Sequence, residues 1–435
     1  MIKNLRKLTK KTQNLFQKTI SFKKYRLNVN SFLKFFAMEF FSNKYYTDFT
    51  FSHDSSSKPI RKRFQFFIFP VIQNTKMHAR LPKVYKKLIV DNLTSDFRKA
   101  TKLIEVPFPE KLTNRSNILV KNHYAGINAS DINFTSGKYY PGKKPPFPVG
   151  FEGVGEVVVS DNPRFKVGQP VAYLADGSFS EFHEIPGNRC FKINDITPEY
   201  VGLLVSGLTA KLALDRLGDL TVEKKQTVLV TAAAGGTGHL FCQLAKRANP
   251  DNCVIGTTSS SEKAEFLSQF VDHAVDLSKD SVASGDFGRF INERSVTGGL
   301  DLVYESVGRD LFDSAFKKMN IKSRMIIIGY IGGYKDSGRT ALNISKYGPT
   351  IPVQLLMKSA SLRGFFLFHY ANEWQQCFKE LDELMTAGEL KVHVDTGFGV
   401  DSKIDNFKFE GIEQIADAVD YLYTRKSVGK VVTKF

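Results

Sequence analysis

The clearest chemical signal is the run Ala233-Ala234-Gly235-Gly236-Thr237-Gly238, an A-x-G-x-x-G string between an apolar strand and an apolar helix. Its chemistry is the binding of a dinucleotide pyrophosphate. Gly235, with Gly236 beside it, lets the backbone approach the anion closely, Gly238 allows tight packing of the helix, and the helix N-terminus faces the negative charge. About 20 residues beyond such a motif, an enzyme that uses NAD would place a carboxylate to hold the ribose 2′-hydroxyl. Here the stretch reads Thr257-Thr258-Ser259-Ser260-Ser261-Glu262-Lys263. Ser259 and Lys263 can hold a 2′-phosphate, which a carboxylate at the strand end would repel, so NADPH is the expected cofactor. Ser260 or Ser261 also qualifies as the cap of the next helix.

These residues need a scaffold that alternates strand and helix. Residues 227–231 read as a buried strand, 240–248 as a helix, 254–257 as a strand and 261–270 as a helix. The strand 300–305, the helix 311–319 and the strand 324–329 follow. Helices between apolar strands imply a parallel sheet, because parallel neighbours need crossovers. Upstream, short β segments at 102–106, 118–125, 153–159, 170–173 and 179–185 are broken by Gly and Pro, which predicts a separate β-rich domain. A helix over 200–217 leads out of it. After residue 351 come a helix, a Gly-rich segment, the helix 374–386 and a terminal strand at 430–432. The expected division is a basic extension over 1–76, a substrate domain over 77–203 and a cofactor domain over 204–350. The segment 351–435 should complete the cofactor sheet and return to the substrate domain.

Net charge is +17, but the first 76 residues hold 16 lysines and arginines against Glu39, Asp48 and Asp54, so +13 of it sits there. The rest of the chain is near neutral, and no nucleic-acid partner is expected for it. The basic head, with Leu, Phe and Ile between its cations, has the texture of a mitochondrial presequence. A disordered extension, or an upstream stretch preceding a start at Met77, fits as well, and the protein would then be cytoplasmic. The apolar run 64–72 is far short of the roughly 20 residues a membrane span needs. The C-terminal Val432-Thr433-Lys434-Phe435 is not a peroxisomal address. Four cysteines without a C-x-x-C argue against a disulfide framework and a structural zinc site.

The order of pieces resembles the medium-chain dehydrogenase/reductase superfamily over about residues 81–435. The resemblance rests on Gly126-Ile127-Asn128-Ala129-Ser130-Asp131, Gly150-Phe151-Glu152-Gly153-Val154-Gly155 and the strand–turn–helix unit that follows. Val303-Tyr304-Glu305-Ser306-Val307-Gly308 and the segment from Arg363 to Tyr370 look most like its prostaglandin reductases. The implied fold is α/β, a Rossmann doubly wound parallel sheet plus a GroES-like β-rich substrate domain. The resemblance implies that Thr237, Ser306, Ile328, Tyr334, Phe365, Phe366, Leu367 and Ser427 contact the cofactor, beside Ser259 and Lys263. Leu277 and Ser427 depart from the pattern, standing where relatives have Tyr and Asn. Tyr334, Asn128 and Tyr139 are the candidates for the chemical step. The zinc members of the superfamily place Cys, His and Cys where this chain has Asn128, Phe151 and Ser206, a set that zinc does not prefer, so no metal is expected.

Without a Lewis acid the implied reaction is conjugate reduction, as in a 15-oxo-prostaglandin 13-reductase: hydride goes to the β-carbon of an enone and donors stabilise the enolate oxygen. A quinone oxidoreductase is the alternative within the same fold. A catalytically idle NADPH-binding scaffold with RNA or membrane affinity is the alternative outside it. The resemblance also implies a homodimer.

Overall fold

The computed structural model describes residues 46–51, 60–65, 81–279, 286–336, 345 and 348–435. The chain divides into two units, Met1–Arg80 and Leu81–Phe435. In the first, β1 (Tyr46–Phe51) pairs antiparallel with β2 (Ile60–Gln65). The presequence expectation otherwise lies outside the described residues. Among the described residues no helix is long and apolar enough to cross a membrane.

The second unit begins with a three-stranded sheet of β3 (Val84–Val90), β4 (Thr101–Pro107) and β6 (Phe147–Pro148). A larger antiparallel sheet is centred on β5 (Asn117–Gly126), whose Ile118, Leu119 and Val120 are fully buried. It also holds β7 (Glu152–Ser160), β8 (Pro170–Leu174), β9 (Phe182–Pro186) and β10 (Cys190–Lys192). Two register shifts between β5 and β7 let this sheet curl.

The third sheet is parallel throughout. Its strands are β11 (Thr227–Val230), β12 (Cys253–Thr258), β13 (His273–Asp276), β14 (Leu300–Glu305), β15 (Met319–Ile327) and β16 (Ser361–Gly364). The order is β13-β12-β11-β14-β15-β16, the doubly wound Rossmann arrangement. β11, β12 and β14 are buried along their whole length, as strands covered by helices on both faces must be. The helix Gly238–Ala248 after β11 turns Leu240, Phe241, Leu244 and Ala245 inward, and Phe241 stacks on Tyr304 of β14 with ring centroids 3.8 Å apart. Finally β17 (Val394–Asp395) pairs with β18 (Lys430–Lys434), and β18 runs antiparallel to β5, joining the end of the chain to the curled sheet.

Several elements differ from expectation. The helix predicted over 200–217 is Glu199–Gly202 and Thr209–Ala213 with π-helical turns at Leu203–Leu208 and Leu214–Gly218. In the wide turn at 203–208 the Val205 N–H donates outside the helix to Glu152, and Ser206 O accepts from the Thr237 hydroxyl as well as from Thr209 N. The helix predicted over 311–319 is Arg309–Lys317, and β15 starts at Met319 rather than at 324. β13, β16 and the helices Asp286–Arg294 and Ile415–Leu422 carry too short an apolar pattern to be read without their packing partners.

Candidate active site

The glycine turn is shaped by backbone contacts. Ala232 adopts a left-handed φ of 48°, and its carbonyl accepts from Gly235 N at 2.9 Å. A Cβ on Gly238 would lie 2.7 Å from both the Ala232 oxygen and the Ala233 Cα, so only glycine lets the helix start this close to β11. The Thr237 hydroxyl contacts Ser206 O at 3.1 Å and the Tyr304 hydroxyl at 2.7 Å, tying the helix start to the π turn and to β14. His239, fully buried one residue into the helix, meets Gly235 O at 2.9 Å through Nδ1 and accepts from His393 N at 3.1 Å through Nε2. Burial pushes its pKa down to about 4, so the ring is neutral. The Gly235 and Gly236 backbone and the positive end of an 11-residue helix make a turn that could hold a pyrophosphate.

Beyond β12 the three serines separate. The Ser260 hydroxyl caps the helix Ser261–Ser268 by accepting from Lys263 N. Ser261 donates to Asp276 at 2.8 Å. Ser259 remains, with the Lys263 ammonium 3.5 Å from its oxygen. Both side chains donate to the carbonyl of Arg425, at 3.3 and 3.2 Å. Burial lowers the Lys263 pKa, Asp395 acts against that and Arg425 reinforces it. The Ser259 hydroxyl and the Lys263 ammonium thus lie together beyond the end of β12, with Arg425 near enough to act on the lysine's charge. Arg425 escaped sequence reasoning because it is 162 positions from Lys263 in the chain; its only signal was the Arg425-Lys426 pair ahead of Ser427. Ser427 is half-buried in the same turn. Two residues on, Gly429 donates to Ala234 O at 2.7 Å, and a β-bridge joins it to Gly235.

On the far side of the glycine turn, Ser306 N donates to Thr231 Oγ1 at 2.9 Å and Ser306 Oγ donates to Thr231 O at 3.1 Å. Ile328 N donates to Glu305 O. The chain then turns so that Tyr334, only 4% exposed, brings its hydroxyl under the loop to accept from Tyr330 N at 3.2 Å. A Cβ on Gly329 would lie 2.6 Å from that hydroxyl oxygen. The Tyr334 and Tyr139 phenols lie close enough to influence each other's ionisation. Burial raises both phenol pKa values, so both are protonated at neutral pH. Tyr139 is half-buried and meets Phe366 edge to face at 5.4 Å. Of the three residues 365–367, Phe365 and Leu367 are buried in the core and Phe366 faces Tyr139.

Asn128 sits apart from that pair in its bonding. Its Nδ2 donates to Glu152 Oε1 at 2.8 Å, its Oδ1 accepts from Lys430 Nζ at 2.7 Å, and its backbone N donates to Asp131 at 2.8 Å. Both ends of the amide are engaged inside the protein. Phe151 is a core aromatic, 2% exposed, packed on Phe134 at 5.1 Å.

The chain belongs to the medium-chain dehydrogenase/reductase family and is an oxidoreductase of that family, with a Rossmann and a GroES-like part. The family model for a zinc-binding dehydrogenase matches residues 236–383, and that for an alcohol dehydrogenase GroES-like domain matches residues 114–213. Prostaglandin reductase-3 of Mus musculus is 43% identical over 361 residues, 82% of this chain and 91% of that protein. A probable quinone oxidoreductase of Leishmania amazonensis is 39% identical over 357 residues, 81% of this chain and 98% of that protein. Among solved structures, Escherichia coli quinone oxidoreductase complexed with NADPH superposes with a TM-score of 0.65 at 22% identity, over 80% of this chain and 100% of that one.

A zinc ion is implied by one family description but does not suit the residues at its positions. Asn128 spends its amide on Glu152 and Lys430, Phe151 has no donor atom, and Ser206 offers a neutral hydroxyl in place of a thiolate.

Proposed function

We propose that the chain uses NADPH to reduce the conjugated C=C bond of enones, in the manner of a 15-oxo-prostaglandin 13-reductase, without zinc. The pair Tyr139–Tyr334 carries this reading, because it offers a hydroxyl proton beside Phe366 and the loop after β15. NADPH, when bound, supplies the hydride that goes to the β-carbon. The glycine turn would hold its pyrophosphate and Ser259, Lys263 and Arg425 its 2′-phosphate, while Ser306, Ile328 and Ser427 line the path between. Tyr139 would donate to the enone oxygen as charge develops there. Tyr334, its hydroxyl held by the Tyr330 N–H and beside Tyr139, would donate into Tyr139 and strengthen it as a donor. Water protonates the α-carbon. Tyr334 then acts as a positioning residue behind Tyr139, and Asn128 as part of the framework.

In this reading residues 77–203 present the substrate, residues 204–350 hold the cofactor, and residues 351–435 serve both. The chain is expected to be a homodimer, which sedimentation would test. The Leishmania relative's name favours quinone reduction as a second reading. The deciding experiment follows NADPH oxidation with a 15-keto-prostaglandin, a simple enone, a quinone and a saturated ketone, with and without chelator. Enone-selective turnover insensitive to chelator supports the proposal. Quinone-selective turnover selects the second reading. Turnover of the saturated ketone that is lost with chelator refutes both, and no turnover with intact NADPH binding leaves a scaffold.

A further inference from the structure

Lys430 is a buried cation, 2% exposed, that none of the roles above uses. Its ammonium reaches Ile127 O at 3.1 Å, Asn128 Oδ1 at 2.7 Å and Glu152 Oε1 at 2.5 Å, so its three protons have three acceptors. The other oxygen of Glu152, which is fully buried, accepts from Val205 N at 2.6 Å in the π turn. Gly126 leaves room for this ion pair: a Cβ there would lie 2.3 Å from Glu152 Oε1 and 2.7 Å from Lys430 Cε.

The segments gathered around the ammonium, at 127–128, 152 and 205, also carry or adjoin Asn128, Phe151 and Ser206, where zinc dehydrogenases keep their ligands. One residue before it, Gly429 is bonded to the glycine turn through Ala234 and Gly235. The start of β18 therefore touches the pyrophosphate cradle with one residue and the substrate-side segments with the next.

We propose that the Lys430 ammonium takes the place of a metal as the cation that locks these segments together, which makes Lys430 a positioning residue for hydride transfer. Glu152 is its counter-charge and Asn128 the bridge between them. The proposal rests on the reductase reading for its kinetic part only.

The test compares the full chain with K430M, E152Q and the double variant K430M/E152Q in melting temperature, NADPH affinity and kcat. K430M strands a buried carboxylate and should melt well below wild type, whereas neutralising its partner as well removes the stranded charge. E152Q should therefore raise the melting temperature of K430M. The double variant should keep its NADPH Kd within about threefold while kcat falls on the order of tenfold to a hundredfold, since small displacements of the reacting groups cost that much. A double variant with wild-type kcat would show that the ammonium only stabilises the fold, and overturns the proposal. So does a K430M chain with wild-type melting and kcat. If the wild type turns over no acceptor, the reductase reading has failed, and melting alone decides: non-additive changes support the locking role and additive ones refute it.

Discussion

Lys263 offers the sharpest separation of the proposed cofactor from its near twin. In the structure its ammonium has one carbonyl partner, Arg425 O at 3.2 Å, and the Ser259 oxygen at 3.5 Å. Burial and the neighbouring Arg425 disfavour its charge, so an arriving phosphate would relieve an unfavourable arrangement. A hydrogen bond to a charged group contributes about 1.5–3 kcal/mol, and about 1.4 kcal/mol is tenfold in Kd. The side chain is only half-buried and Arg425 would remain, so screening argues for the lower end. K263M should therefore weaken NADPH about tenfold. NADH, which lacks the phosphate, should bind K263M as it binds wild type, within about twofold. Titration calorimetry with both cofactors measures this directly, and the melting temperature without cofactor should not fall. Equal losses for NADPH and NADH would mean that Lys263 supports the fold rather than the phosphate. No loss for either would place the phosphate elsewhere.

Three further perturbations follow from the same geometry. Y139F should lower kcat/KM for an enone by on the order of a hundredfold or more and Y334F by about tenfold, with NADPH affinity unchanged; a larger loss in Y334F than in Y139F would reverse the relay. His239 is neutral in the fold with a pKa of about 4 against an ordinary value of 6.5. Stability from this group is therefore full above about pH 6.5 and declines as pH falls toward 4, by up to about 3 kcal/mol. His183, also near 4 through burial, adds in the same direction. Denaturant midpoints at neutral and acid pH should show a flatter decline in H239Q, and an unchanged slope would refute the assignment. Gly238→Val would push a side chain into the Ala232 carbonyl and the Ala233 Cα and should cost about 1–3 kcal/mol; an unchanged melting temperature would show that the helix start is not tightly packed.

Much of the cofactor side was legible because its chemistry is local. β11, the glycine turn and the helix Gly238–Ala248 are contiguous, so period, glycine spacing and helix polarity all read from one short stretch. The substrate side was less legible. Asn128 and Tyr139 were both candidates in sequence, and only packing engages both ends of the Asn128 amide while leaving Tyr139 half-exposed against Phe366. Only packing shows that Tyr334 is buried with its hydroxyl against the Tyr330 N–H.

The sequence by itself determined the alternation of elements and the glycine cradle, because periodicity and backbone freedom are properties of neighbouring residues. It also determined that hydroxyls rather than a carboxylate stand at the end of β12, and that zinc-type donors are missing at 128, 151 and 206. Tertiary structure alone decided which of three adjacent serines caps a helix and which stays open beside Lys263. It alone brought Arg425 to that serine and Lys430 to Glu152. Those choices depend on where β18 and the turn before it return across the molecule, and contacts between residues hundreds of positions apart leave no period or spacing in the chain.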